Sequence, residues 1–452
     1  MPPRTSKTTA LRVAVLADSD TRWKWGALTA RRLTTGSPDA PHAAERPVEI
    51  SGLLLRGRAT PTPRQLAEVG DVGIDTGRVR EVTAVEFLHT VRDEGYDVVV
   101  LALVGGAVQA MLQGLAALQL PARPVVVTGY VGVVYEKLAD GLLLRHGADV
   151  VLANSRHDAE RFRAVYEGVG ADASAVTEAA LPFLGGAPHR PQEGRDTVVF
   201  AAQPSVPASR ADRTYLLRRL VEHARLHPGR EVLLKLRSKP GEHTTHIEEL
   251  PYQRLAEKLP GGLPPNFRLV YGHMGEVLDR TDLLVTVSST AALESLHRRI
   301  PTAVLSDLGV RETLGNHHFI GSGLLTSWDR LDGGSHPEPD ETWLAGQGVA
   351  ADGTYDTAYE TARARVDALL ATPRLPDLAP YYTPATAPGY LPGILARHHL
   401  APDGHPLPGA AVPRETGGVR GAVRDAVREA ARGAYRQGVQ RVAPVIRRMG
   451  EL

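Results

Sequence analysis

Carboxylates, basic groups and indoles crowd the short stretch that follows the first apolar run of the chain. It reads Asp18-Ser19-Asp20-Thr21-Arg22-Trp23-Lys24-Trp25. A carboxylate can take the proton of a hydroxyl group, and indoles stack on the faces of sugar rings. Helix capping by the short polar residues is the alternative, although capping does not require Trp23. We predict Asp18 and Asp20 as catalytic carboxylates, and Trp23 and Lys24 as groups that bind the hydroxyl-bearing molecule.

A glycine pair, Gly105-Gly106, opens the helical pattern after the third apolar run. The backbone can approach a ligand closely where side chains are absent, and the start of a helix favours an anion. Tight packing is the alternative explanation for such a pair. We assign both glycines to the same binding site as Trp23 and Lys24, the site for the hydroxyl-bearing molecule that would accept the transferred group.

Basic side chains gather at the end of an apolar run in the second half. Lys235, Arg237 and Lys239 alternate there, although lysine is scarce in this chain. Three cations suit a phosphate or a sugar carboxylate, and a solvated loop is the alternative. Because ligands of open α/β sheets bind outside the carboxyl ends of the strands, we predict an anion site at this position.

Two further polar motifs follow apolar runs of the second half. One is Gln203-Pro204, and the other is Ser288-Ser289-Thr290, which precedes a helical pattern containing Glu294. Hydroxyl groups at a helix start suit an anion, whereas an ordinary cap is the alternative. Capping needs one hydroxyl group and this turn offers three, so we assign both motifs and Glu294 to the anion site.

The elements that must position these groups are apolar runs alternating with helical patterns. Strands are predicted in the first half at Leu11–Ala17, Val48–Leu55, Asp97–Val104, Pro124–Thr128 and Ala148–Ala153. Helices are predicted between them at Val82–Glu94, Gly106–Leu118 and Arg156–Glu167. Continuous apolar runs indicate strands buried on both faces, and the alternation predicts a doubly wound parallel sheet.

The alternation stops near Leu181 and restarts after a stretch rich in proline and glycine. The second set of strands is predicted at Thr197–Ala202, Val232–Leu236, Phe267–Tyr271, Leu283–Val287 and Thr302–Leu305. Its helices are predicted at Arg213–Leu226, Ile247–Leu259, Met274–Arg280 and Ala291–Arg299. The predicted organisation is therefore two Rossmann-like domains, 1–185 and 197–372, joined by a linker at 186–196, then a Pro-rich segment at 373–416 and a helix at 417–449.

Composition excludes several classes of protein. The 452 residues are 42% hydrophobic and 23% charged, which is typical of globular domains. The absence of cysteine rules out disulfides, thiolate nucleophiles and Cys-ligated zinc. A net charge of +1 gives no argument for nucleic acid. No spacing of metal ligands stands out, so we expect no metal and no cofactor.

We expect a cytoplasmic location, because no apolar run is long enough for a signal peptide or a membrane span.

These motifs, in this order, resemble those of the GT-B glycosyltransferases over roughly residues 11 to 310. The second half is similar to bacterial capsule Kdo transferases and to sialyl- and polysialyltransferases, in which Gln-Pro, Lys-x-His-Pro and Ser-Ser or Ser-Thr motifs line the CMP-sugar site. Gln203-Pro204 and Ser288-Ser289-Thr290 match in kind and order, whereas the segment from Lys235 to Pro240 keeps the first Lys and lacks His-Pro. The sequence also looks like an actinobacterial-type glycosyltransferase family.

The resemblance implies a GT-B fold, in which two Rossmann-like domains face each other across a cleft. It further implies metal-independent transfer of a sugar, from a nucleotide-activated donor (a CMP-sugar is favoured) on the second domain to a glycan or lipid-linked acceptor on the first, in polysaccharide biosynthesis. A UDP-sugar 2-epimerase-like enzyme is one alternative. A catalytically degenerate GT-B protein that binds a glycan or a partner is another, which the missing His-Pro favours.

The last predicted helix has a basic face. Arginine recurs every fourth residue, at Arg420, Arg424, Arg428, Arg432 and Arg436. A basic amphipathic helix can lie on an anionic membrane, which would make the protein peripheral at the inner face of that membrane. The alternative is that the helix packs back on the first domain. Nucleic acid is not expected as a partner, because the rest of the chain is neutral.

Overall fold

A computed structural model describes residues 10–34, 47–57, 59–69, 72, 74, 78–132, 137–239, 250–349 and 354–408. These residues form two compact units. The first holds the described residues up to Phe183 together with those from 354 onward, and the second holds residues 184–349. The predicted helix at 417–449 lies outside the described residues. Among those that are described, no helix is both long and apolar enough to cross a bilayer.

The first unit is built on a parallel sheet with the strand order β3-β2-β1-β4-β5-β6-β7. Its strands are β1 Leu11–Ala17, β2 Val48–Leu55, β3 Arg80–Val82, β4 Val98–Ala102, β5 Val125–Gly129, β6 Val150–Ala153 and β7 Val176–Glu178. Its helices up to β7 are α1 Asp20–Thr34, α2 Pro63–Glu68, α3 Ala84–Glu94, α4 Gly105–Ala117, α5 Leu138–Leu143 and α6 Arg156–Gly168. The central strands β4 and β5 are buried at every residue, as continuous apolar runs require.

The second unit repeats this plan with the strand order β10-β9-β8-β11-β12-β13, again all parallel. Its strands are β8 Thr197–Ala201, β9 Glu231–Lys235, β10 Phe267–Val270, β11 Leu283–Thr286, β12 Thr302–Leu305 and β13 Leu325–Thr326. Its helices are α7 Arg210–Leu226, α8 Tyr252–Ala256, α9 Met274–Leu278, α10 Ala291–His297, α11 Trp328–Asp332 and α12 Glu341–Ala345. The predicted pair of Rossmann-like α/β units is confirmed.

Several short elements differ from the sequence prediction. Val82 ends a strand rather than beginning a helix, because the capping box of Thr83 and Glu86 starts α3 two residues later, at Ala84. The strands β3, β7 and β13 were not predicted, since two or three residues are too short to show an apolar pattern.

The chain after the second sheet returns to the first unit. The helices α13 Glu360–Leu370 and α14 Leu391–Ala396 pack there, α13 on α1 and on β5 to β7, and α14 on α4. Tyr359 Oη donates a hydrogen bond to the carbonyl oxygen of Ala180 at 2.7 Å, and Arg363 donates to that of Arg32 at 3.2 Å. Residues 354–372 therefore belong with the first sheet, whereas the sequence analysis had assigned them to the second domain.

The predicted linker is tied to the second unit. His189 Nε2 lies 3.1 Å from Asp282 Oδ1, and Arg195 pairs with the same carboxylate at 2.8 Å. The Arg195 guanidinium and the His189 ring lower the pKa of Asp282, although burial acts in the opposite direction. The segment after Phe183 is thus held by ion pairs to the loop before β11.

Candidate functional site

Each sheet has one place where the chain reverses its direction of growth, which we call the switch point. It lies between β1 and β4 in the first unit and between β8 and β11 in the second. The connections leave such adjacent strands in opposite directions, so a crevice opens at their carboxyl ends, where open α/β sheets bind ligands. Asp18, Gly105, Gln203 and Ser288 all follow these four strands within three residues.

Asp18 bridges the switch point of the first unit. Its Oδ2 accepts a hydrogen bond from the backbone N–H of Val104 at 2.9 Å, and its Oδ1 accepts one from Arg22 Nη1 at 3.0 Å. Both side chains of this ion pair are mostly buried. Capping is left to Ser19, whose Oγ faces the Arg22 N–H at 3.4 Å, and Asp20 begins α1 half-buried. The site therefore holds a carboxylate fixed by two donors.

Trp23 and Trp25 are both fully buried. Glycines in neighbouring strands make room for them: a β-carbon on Gly52 would come within 2.5 Å of the Trp23 ring, and one on Gly129 within 2.8 Å of the Trp25 ring. A buried indole has no face to offer a sugar, so the acceptor-binding role predicted for Trp23 is corrected to a role in the core. The sequence signal for it was one glycine inside an apolar run, Gly52, and one directly after another, Gly129.

The other residues predicted to bind the acceptor molecule are less buried than Trp23. Lys24 is half-buried and its Nζ lies 5.0 Å from the centre of the Phe183 ring. Gly105 begins α4 in close contact with its neighbours, because a β-carbon would come within 2.9 Å of Leu144 Cδ1. Gly106 has more space, and its nearest neighbour would be Ile394 Cγ2 at 3.9 Å. Packing thus accounts for Gly105, whereas Gly106 stays a predicted ligand contact.

Arg145 is a buried arginine near this switch point that the sequence analysis missed. Its guanidinium donates to the carbonyl oxygens of Gly129 at 3.0 Å, Gly141 at 2.7 Å and Leu103 at 3.3 Å. It also lies over the Tyr130 ring, 4.0 Å from its centre. Arg145 therefore fixes the chain just beyond β4 and β5, and it brings a positive charge beneath the start of α4.

Gln203 bridges the switch point of the second unit. Its Oε1 accepts a hydrogen bond from the backbone N–H of Ser288 at 3.1 Å. The Ser288 hydroxyl donates to the carbonyl oxygen of Leu314 at 2.6 Å and is buried. The two motifs are thus brought together as expected, but Gln203 and Ser288 are joined to each other. We correct the role of Ser288 from ligand contact to support of the loop.

A second buried arginine, Arg213, holds the loop that contains Pro204. Its Nη1 donates to the carbonyl oxygens of Gln203, Pro204 and Pro207 at 3.1 to 3.3 Å. Its guanidinium lies 4.1 Å from the centre of the Tyr252 ring. Arg213 sits inside α7 as a buried charge, and no local sequence pattern distinguishes it from the exposed arginines of that helix.

The three predicted cations follow one another from the interior to the surface. Lys235 ends β9, is 6% exposed, and donates from Nζ to the carbonyl oxygen of Leu236 at 2.8 Å. Arg237 is half-buried, and Lys239 is exposed with its Nζ 5.9 Å from the centre of the Tyr271 ring. Because β9 pairs with β8, this basic segment lies beside the Gln203 loop.

Ser289, Thr290 and Glu294 are all half-buried at the turn into α10. The Ser289 hydroxyl accepts the Ala291 N–H at 3.3 Å, and the Thr290 side chain makes no capping hydrogen bond. Thr290 is therefore the hydroxyl group of this turn that capping does not explain.

His223, His227 and Asp332 bring potential metal-ligand atoms within 4.8 Å of one another, with no ion present. His223 Nδ1 lies 2.6 Å from Asp332, and its Nε2 lies 3.0 Å from Arg230 Nη1. Arg219 also pairs with Asp332, at 2.9 Å. Two guanidinium groups would repel a metal cation, so the arrangement fits an ion-pair network better than a metal site. Burial lowers the pKa of His223, whereas its contact with Asp332 raises it.

Two parallel-sheet Rossmann-like units in one chain are the domain plan of the GT-B class of folds. Residues 13–369 match the family described as "Putative glycosyltransferase (DUF6716)". The match spans most of the sequence, so the chain belongs to this family. The prediction that the protein is a glycosyltransferase is confirmed at that level.

Solved structures support the fold. A "putative UDP-N-acetylglucosamine 2-epimerase" from Listeria monocytogenes aligns with a TM-score of 0.52 and 13% identity, over 82% of this chain and 99% of that chain. The MnaA protein of S. aureus, in a co-structure with UDP, aligns with a TM-score of 0.52 and 11% identity, over 82% and 100%. At such identities the likeness concerns the fold alone. No curated protein matches the chain.

Proposed function

We propose that the protein transfers a sugar from a nucleotide-activated donor bound on the second unit, without a metal ion. The observation that carries this proposal is that Lys235 and Arg237 lie beside the switch point of the second unit, across which Gln203 and Ser288 are hydrogen-bonded. Cations at the carboxyl edge of a Rossmann-like sheet can bind the donor phosphate and neutralise the charge of the departing nucleotide. The family to which the chain belongs agrees with this chemistry.

The donor is either a CMP-sugar or a UDP-sugar. The order of the Gln203-Pro204 and Ser288-Ser289-Thr290 motifs favours a CMP-sugar. However, Gln203 and Ser288 hold each other, so their match with the CMP-sugar motifs is also explained by the closing of the loop. The co-structure of a protein of the same fold with UDP favours the second donor.

The acceptor binds the first unit in this proposal. Asp18 and Asp20 stand at or beside its switch point, and Lys24 and Gly106 lie on the helices that begin there. A hydroxyl group of a cell-surface or capsular glycan, free or linked to a lipid, would be activated by a basic group at this edge.

A thermal-shift screen with CMP, CDP, UDP and GDP tests the donor site. We expect one nucleotide to raise the melting temperature, since a ligand that binds only the folded state stabilises it. Lys235→Met should lose this shift, because it removes the cation and keeps most of the side-chain volume. Lys258→Met, at an exposed lysine beyond the end of α8, is the matched control and should keep the shift. If no nucleotide stabilises the parent protein, the proposed function fails.

A UDP-sugar 2-epimerase-like activity is the second candidate, because one of the aligned structures carries that name. An epimerase needs no acceptor. Incubation with the nucleotide sugar alone, followed by product analysis, separates the two: an epimerised nucleotide sugar supports the second candidate, and its absence together with transfer to an added glycan supports the first.

Peripheral membrane contact is a separate part of the proposal. The regular spacing of arginine from Arg420 to Arg436 supports binding to anionic lipid. Flotation with phosphatidylserine vesicles should recover the full chain better than a chain that ends at residue 413. Equal recovery of both forms would remove the membrane from the proposal.

A further inference from the structure

Two donors hold the Asp18 carboxylate. Both oxygens already accept a hydrogen bond, one from the Val104 N–H at 2.9 Å and one from Arg22 at 3.0 Å. The same contacts make Asp18 a firmly held negative charge, which suits a group that orients or stabilises a neighbouring cation.

A histidine from the returning chain lies within electrostatic reach of this charge. The helix α14 packs on α4, and Ile394 is the residue nearest to the open side of Gly106. One turn further along, His398 closes α14 with its N–H bonded to the carbonyl oxygen of Leu395 at 2.9 Å. Its ring is half-buried and makes no side-chain hydrogen bond to the described residues.

The charges that face His398 differ in sign. Burial is the largest influence and lowers the pKa of His398, and Arg397 and His399 act in the same direction, whereas the Asp18 carboxylate opposes them. The ring of His398 is kept neutral by burial, makes no side-chain hydrogen bond to the described residues and lies close enough to the Asp18 carboxylate for its charge to act on the ring. These are properties that a general base requires.

We propose that His398 is the residue that takes the proton of the acceptor hydroxyl, and that Asp18 is a positioning residue which stabilises the imidazolium so formed. This inference rests on the proposed function. The acceptor oxygen forms a bond to the anomeric carbon, whose bond to the phosphate oxygen breaks and leaves the electron pair on the nucleotide. The hydroxyl proton moves to the imidazole, so charge and atoms balance.

Kinetics of nucleotide release from UDP- and CMP-sugars, with added glycan acceptors, test this role. His398→Asn should lower the rate by about 10²- to 10⁴-fold, the usual contribution of a general base, and leave the nucleotide-induced melting shift unchanged. His399→Asn is the matched control, because His399 is exposed and adjacent, and it should keep the parent rate. Asp18→Asn should move the acidic limb of the pH–rate profile to lower pH. A His398→Asn enzyme with parent activity would overturn the proposal, as would an Asp18→Asn enzyme that is inactive while His398→Asn is not.

A substrate-free measurement separates this inference from the proposed function. NMR titration of the His398 Cε1–H, assigned by its loss in His398→Asn, should give a lower midpoint in Asp18→Asn than in the parent. An unchanged midpoint would show that the two groups are not coupled, and would overturn the inference even if a nucleotide sugar binds. If the midpoint moves but no nucleotide stabilises the parent, the pairing stands and the proposed function falls.

Discussion

The two switch points use the same hydrogen bond with different chemistry. In each, a side chain after the first strand of the unit accepts a backbone N–H from the loop after the adjacent strand: Asp18 from Val104 at 2.9 Å, and Gln203 from Ser288 at 3.1 Å. The first acceptor is charged and the second is neutral. The neutral amide adds no negative charge beside Lys235 and Arg237, where a phosphate is proposed to bind, whereas the carboxylate suits an edge that must stabilise a cation.

A second likeness concerns the buried arginines. Arg145 and Arg213 each donate to three main-chain carbonyl oxygens and lie 4.0 and 4.1 Å from the centre of a tyrosine ring. Each fixes loops at the carboxyl edge of its own sheet. A rigid loop keeps the geometry of a ligand site at low entropic cost on binding, so we infer that the two units stabilise these edges by the same means.

Removal of either buried arginine should have the largest effect of the changes considered, and it should destabilise only the unit that contains that arginine. Arg213→Met leaves three carbonyl oxygens without their donor, which should cost about 3 kcal/mol of the free energy of unfolding. Hydrogen exchange should show the loss in the second unit for Arg213→Met and in the first for Arg145→Met. Equal loss in both units for either variant would contradict the comparison.

Loss of the Lys235 cation should give the next largest effect. A hydrogen bond to a charged group contributes about 1.5–3 kcal/mol, so Lys235→Met should weaken nucleotide binding about 10- to 100-fold in calorimetric titration. Asp18→Asn, at the other switch point, should leave this affinity unchanged. An equal loss of affinity in both variants would contradict the assignment of the nucleotide site to the second unit.

Replacement of the neutral Gln203 side chain by a carboxylate tests whether the charge of the bridging group matters for nucleotide binding. Gln203→Glu keeps an acceptor for the Ser288 N–H and adds a negative charge beside the proposed phosphate site. We expect about tenfold weaker nucleotide binding from repulsion over a few ångströms at a partly exposed site. The matched control is Gln203→Ala, which loses the hydrogen bond without adding charge. If the alanine variant binds as weakly as the glutamate variant, loop support rather than charge explains the result.

The smallest effect should appear in the pH dependence of stability. Burial lowers the pKa of His223 below the ordinary histidine value of about 6.5, so the unfolded chain binds this proton more readily. The contribution to stability is thus present above about that pH and is lost as the pH falls through it. His223→Gln, which can still donate to Asp332, should make the free energy of unfolding fall less steeply between pH 7 and 5 in urea titrations. A slope equal to that of the parent would show that other groups titrate instead.

The parts of the fold that the sequence predicted are those with long apolar runs. The strands Leu11–Ala17, Val48–Leu55 and Thr302–Leu305 have the predicted bounds, because buried parallel strands need continuous apolar residues. The short strands β3, β7 and β13 depend on pairing with a neighbour, which no local pattern shows.

The candidate site divides in the same way. The strand ends pointed to Asp18, Gln203 and Lys235, because topology fixes which edge they occupy. The burial of Trp23 and Ser288 depends on partners such as Gly52 and Leu314, which are distant in the sequence. His398 was missed as a site residue for the same reason, since more than 370 residues separate it from Asp18.

The return of the chain to the first sheet has a consequence for how this protein can be divided. A fragment that ends at Phe183 would leave the surface under α13 and α14 open to water, and Ala180 would lose the Tyr359 hydrogen bond. Independent production of that half therefore calls for a spliced gene, in which a short flexible connector joins residue 183 directly to residue 354. The second unit, whose described residues all lie within the single stretch 184–349 of the sequence, could by contrast be produced without such splicing.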